Sequence, residues 1–172
     1  MPDQLTLADA GTLYEGVANG SLLTTANQAT FYSLMAGKAE FAAEGYDFTH
    51  LWDTDIPAMV AQAAPGATAA QLRDYLSSMN LAYKAGNYVN CSDSCSHIAD
   101  YYSISGWARI PFCDGGSPAP RDYVFGIFLH GATDNSYFDG KTTLAAQNFL
   151  TAKAELLREP IVAGLTSCGL IQ

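Results

Sequence analysis

The stretch Leu81-Ala82-Tyr83-Lys84-Ala85-Gly86-Asn87-Tyr88-Val89 decides how the chain folds. The helical period that holds upstream fails at Asn80, and the nine residues read as a strand. Two more strands follow. Tyr101-Tyr102-Ser103-Ile104-Ser105-Gly106-Trp107-Ala108-Arg109-Ile110 is rich in aromatic and β-branched residues. Tyr123-Val124-Phe125-Gly126-Ile127-Phe128-Leu129-His130 is nearly all apolar, which predicts a strand that is central or covered on both faces. Short links imply antiparallel pairing. The expected core is therefore a three-stranded antiparallel sheet in sequence order, over residues 81–89, 102–112 and 122–130. Such a sheet needs a cover for its apolar face, and a helix over residues 142–157, with Leu144, Ala145, Phe149, Ala152 and Leu156, is the expected cover.

Outward from these strands the chain is punctuated by turns. Residues 90–100 form a polar loop with two cysteines, and Gly115, Gly116, Pro118 and Pro120 mark a turn between the second and third strands. Upstream, residues 1–79 read as mainly helical. Thr6 caps a first helix with Asp9 as its reciprocal partner, placing Leu5, Ala8, Leu13 and Val17 near one face, and Asn19-Gly20 stops it. Thr24 or Thr25 caps a second helix, to about Met35. A short helix is expected over residues 56–63. Thr68 caps another, with Leu72, Tyr75, Leu76 and Met79 at i, i+3, i+4 and i+7. The fold class is α+β, a single domain or a fragment of one.

Composition narrows the function. With 17 acidic against 8 basic residues the net charge is −9, and a phosphate backbone would be repelled, so nucleic acid is set aside. No apolar run approaches the length of a membrane span. Met1-Pro2-Asp3-Gln4 enters an amphipathic segment with no basic n-region or apolar h-region, so an export signal, if one exists, lies outside this chain. The four cysteines, Cys91, Cys95, Cys113 and Cys168, are an even number in an acidic chain and point to an oxidising compartment, secreted or periplasmic. A zinc site with His97 beside Cys95 is the rival reading, but Cys91-x3-Cys95 lacks a second cysteine knuckle. No metal or other cofactor is expected.

The path of the chain predicts the pairing. Cys91 and Cys95 share one loop. Cys113 ends the second strand at the opposite end of the sheet, and a final helix antiparallel to the third strand carries Cys168 back toward it. The expected pairs are Cys91–Cys95 and Cys113–Cys168.

Four pieces, in order, resemble the second half of the β-lactamase and penicillin-binding-protein family. Thr6 to Thr24, with its Gly20-Ser21-Leu22-Leu23-Thr24 turn, is similar to the family's Thr-capped helix ending in Gly-x-Leu-Leu-[Ser/Thr]. Lys84-Ala85-Gly86 is similar to its Lys-[Thr/Ser]-Gly strand. A strand with Gly106-Trp107-Ala108 follows, then Tyr123 to Gly131 and a C-terminal helix. The resemblance covers most of the chain, apart from inserts at about residues 39–70 and 90–101.

It implies a partial transpeptidase-like α/β domain of a serine hydrolase acting on an amide or ester, with a small-molecule or peptide substrate. Lys84 would supply positive charge, and the backbone N–H of Asn87 would contribute to the oxyanion hole. Gly86 would admit the acyl group, and Ala85 would stand where the family places a carboxylate-binding hydroxyl. The family's nucleophile, the serine of Ser-x-x-Lys, is missing: Met35, Leu81, Phe138 and Leu150 stand three residues before Lys38, Lys84, Lys141 and Lys153. The Ser-x-Asn box is missing too, since Ser92-Asp93-Ser94 lies after the lysine strand and lacks the asparagine. The chain is therefore expected to be inactive alone and completed by a missing N-terminal half or a second copy.

A reading from another class is a non-catalytic binding or scaffold domain that uses the aromatic sheet of Tyr83, Tyr88, Tyr101, Tyr102, Trp107 and Tyr123. No Gly-x-Ser-x-Gly elbow serves His50, His97 or His130, and Asp134 to Gly140 lacks the calcium-loop spacing.

Overall fold

A computed structural model describes residues 6–36, 50–92, 97–133 and 144–171, with the backbone alone for 87–92, 97–100, 130–133 and 144–147. Helix α1 is Leu7–Ala18 and α2 is Thr25–Met35. A π-helical turn, Leu51–Asp55, runs into α3, Ile56–Ala63, and α4 is Ala69–Ser78. Strands β1, Asn80–Ser92, β2, His97–Ile110, and β5, Arg121–Thr133, form the sheet, while β3, Cys113–Asp114, and β4, Ser117–Pro118, form a small hairpin. Two helices close the chain, α5 over Leu144–Lys153 and α6 over Arg158–Ser167.

The fold class is α+β, with a three-stranded antiparallel sheet in the order β1-β2-β5. The caps read from sequence are in place. Thr6 accepts from the N–H of Asp9 while Asp9 reaches back to the Thr6 backbone, and Thr68 with Gln71 repeats the device. Gly20 takes the left-handed φ of 78° that ends α1. In the β3–β4 hairpin, Gly115 and Gly116 both have positive φ, 55° and 84°, as a tight two-residue turn between right-twisted strands requires.

The period-two alternation sorts side chains onto two faces. The register sets Leu81 beside Ala108 beside Tyr123, and Ala82 beside Trp107 beside Val124. On the first face Leu81, Tyr83, Ile104, Ala108, Ile110 and Phe125 join the main core with residues of the π-turn, α3, α4, α5 and α6. Its fully buried members include Phe149, Leu157, Ile161 and Leu165, each stabilising the fold by about 1.5–3 kcal/mol through burial. On the second face Ala82 and Trp107 meet Tyr14 of α1, with Phe31, Tyr32 and Met35 of α2 packed alongside.

β5 is an edge strand, as a sheet in sequence order implies, and its apolar run reflects the expected cover on both faces: α5 lies against β2 and β5, and α1 against the same two strands. Other expectations are corrected. The strands extend into the expected loop, as far as Ser92 and from His97. The single terminal helix is two. It breaks after Lys153, and α6 follows with Pro160 in its first turn, where the missing N–H has no partner to lose. In α1 the buried residues are Ala10, Tyr14, Gly16 and Val17, whereas Leu13 is exposed, because the helix docks on the sheet through Tyr14.

Cys113 and Cys168 are disulfide-bonded, with Cα atoms 4.9 Å apart. The route differs from the expected one. Cys168 is the C-cap of α6, and that second helix brings it to Cys113. The Cys91–Cys95 pair lies outside the described residues.

Candidate functional site

The strand that carries the Lys-Ala-Gly triplet is an edge of the sheet, since β1 pairs only with β2 among the described strands. Lys84 and Gly86 lie on the α1–α2 face. Their register partners on β2 are Ser105 and Ser103. Ser103 Oγ donates to the carbonyl of Gly86 at 3.4 Å. Lys84 is exposed and its ammonium donates to the Ala85 carbonyl. No hydrogen bond joins it to Ser105 among the described residues.

Ala85 lies on the opposite face, packed against the main core. A hydroxyl in its place would face that core rather than Lys84. The Asn87 backbone pairs with Tyr102 in the ladder, and its side chain lies outside the described residues.

Tyr14 stands beside this strand from α1. It is 3% exposed, and burial pushes its phenol up to about 12, against the pull of a hydrogen bond with the Lys84 backbone. A cavity of about 450 Å³ opens on the same face between Thr6, Leu7, Ala10, Ser103, Ser105 and Phe128. The face thus offers a cation, hydroxyls and a glycine on an open edge. Among the described residues it offers no serine hydrogen-bonded to a base, which nucleophilic catalysis needs.

The rival motifs contribute little. His50 has a left-handed φ of 51° and its Nδ1 lies 3.5 Å from Asp53 Oδ2, at the entry to the π-turn. The side chains of His97 and His130, like Asp134 to Gly140, lie outside the described residues. Among those described, no group of three or more His, Cys, Asp or Glu residues could hold a metal ion.

The aromatic residues of the sheet do not form one surface. Tyr83 is buried in the main core with Tyr102 and Tyr123 packed beside it, while Trp107 is buried on the other face. Tyr101 pairs loosely with Phe128, ring centroids 6.3 Å apart.

The reading from sequence missed a larger cavity, about 710 Å³, at the start of β1. Both tryptophans of the chain, Trp52 of the π-turn and Trp107 of β2, line it with Tyr32 of α2, Met79, Asn80 and Arg109. Tyr32 stacks on Trp107 at 4.1 Å and 13°. The one signal in the sequence was Arg109, which strand alternation puts on the same face as Trp107. The π-turn that supplies Trp52 leaves no period to read.

No family model, no curated protein and no solved structure matches the chain.

Proposed function

We propose that this chain is the catalytic-strand portion of a serine acyl hydrolase similar to the β-lactamases and penicillin-binding proteins, inert until a nucleophile is supplied from elsewhere. The observation that carries the reading is the placement of Lys84 and Gly86 on one face of an edge strand, toward α1 and α2. An edge strand can receive an extended acyl substrate through its free backbone groups, and an exposed ammonium there supplies positive charge for a carboxylate or a developing oxyanion. Ala85, turned toward the core, takes no part in binding a carboxylate on that face. An ester or a simple amide therefore fits better than a β-lactam.

The completing partner is an N-terminal half or a second copy of the chain, lying along the open edge of β1 or β5. Export to an oxidising compartment, secreted or periplasmic, agrees with the Cys113–Cys168 bond and the acidic composition. The isolated chain should hydrolyse neither nitrocefin nor simple esters and should not be acylated by labelled penicillin. Stoichiometric acylation of any serine in it, Ser105 above all, would overturn the reading. A second reading, a non-catalytic binding domain, is favoured by the 710 Å³ cavity.

A further inference from the structure

Cavities that hold small ligands are mostly apolar, some 300–1,000 Å³ in size, with a few convergent polar groups that fix orientation. The cavity at the start of β1 has such a size and such polar groups, on a lining about as polar as it is apolar. Its volume is about 710 Å³, and Tyr32, Trp52, Trp107 and Met79 supply flat or soft apolar walls. Asn80, Arg109, Ser33 and Ser77 supply the polar groups, the first two neighbours by register across β1 and β2.

Arg109 is the informative residue. Its only ion partner among the described residues is Asp122, with Nε to Oδ1 at 4.0 Å, and both side chains are nearly half exposed. Such a surface pair is weak. The two Nη groups, the fork that suits a carboxylate bidentately, have no partner among the described residues. A second observation lies in the wall itself. Trp107 is 4% exposed, and its indole Nε1 is buried without a hydrogen-bond partner among the described residues. Tyr32 stacks over the face of this indole, so the two rings form one continuous aromatic wall. A guanidinium fork at the rim of an aromatic wall selects for negative charge on a flat apolar body.

We propose that this cavity binds a small aromatic carboxylic acid, its carboxylate on the Arg109 guanidinium and its ring against Tyr32 and the two tryptophans. The proposal rests on the cavity alone and stands or falls independently of the hydrolase reading.

Because both tryptophans line the cavity, their emission reports occupancy directly. Titrating the folded protein with phenylacetate should give a saturable change in tryptophan emission, confirmed by calorimetry. Phenylacetamide, equal in shape but neutral, should bind at least tenfold more weakly. Arg109→Gln, an exposed change that leaves the core intact, should weaken phenylacetate at least tenfold, and Asp122→Asn should tighten it by removing the competing carboxylate. The absence of saturable binding overturns the proposal. So does phenylacetate binding that phenylacetamide matches or that Arg109→Gln leaves unchanged.

Discussion

Gly106 shows how closely single residues set the fit of the sheet. A Cβ there would lie 2.5 Å from the Ala82 carbonyl oxygen and 2.8 Å from Phe125 Cζ. Backbone cannot yield as a side-chain tip can, so Gly106→Ala should destabilise the protein by about 1–3 kcal/mol, the usual cost of overpacking. Urea denaturation would measure it, and a midpoint equal to wild type would contradict the placement of β1 against β2. Two tyrosines make a separate prediction. Burial pushes Tyr14 up to about 12 from an ordinary value of 10.0, and raises Tyr75, whose hydroxyl donates to the Ile161 carbonyl at 3.2 Å. A raised folded value means that the neutral phenol is the form the native state prefers. Its contribution is complete below pH 10 and is lost as pH rises toward 12 and beyond, because the unfolded chain ionises first. Thermal midpoints should therefore fall steadily across that window, together with the tyrosinate absorbance change.

At the scale of elements, an ion pair and a disulfide help to hold the C-terminal helices. Lys153, only 4% exposed at the end of α5, donates to Asp55 at the end of the π-turn. Losing a charged hydrogen-bond partner costs about 1–3 kcal/mol, so Asp55→Ala should lower stability by about that much. The second connection is Cys113–Cys168, which closes a 55-residue separation. In the chain-entropy model such a loop corresponds to roughly 4 kcal/mol. Replacing both cysteines by serine should lower the denaturation midpoint accordingly, and non-reducing peptide mapping should find these two residues joined. The pairing was legible in the sequence, although its route was not. The second terminal helix was hidden because Pro160 and the turn before it interrupt the pattern, yet Leu157, Ile161 and Leu165 recur at i, i+4 and i+8 and are all buried. Capping threonines, by contrast, announced their helices, since a cap is a local hydrogen bond that needs no tertiary partner.

For the molecule as a whole, the sheet was legible because three apolar runs joined by short links permit few arrangements. The edge position of β5 followed from that order, although its apolar run, covered by α1 and α5, has the same composition as a central strand. Lys84 and Gly86 could be found by motif because both chemistry and alternation are local. The aromatic cavity could not, as it joins α2, the π-turn and β2, segments far apart in sequence whose meeting depends on packing. Among the described residues no helix is long and apolar enough to cross a membrane. The central claim is that the Lys84 strand serves a serine that this chain lacks. The most direct measurement is fluorophosphonate labelling, read by peptide mass, of the protein expressed from its natural transcript with whatever is encoded upstream. The account predicts one label, on the serine of a Ser-x-x-Lys within about one or two hundred residues upstream, a domain's length. No label on the extended protein, or a label on a serine within the present sequence, would contradict it.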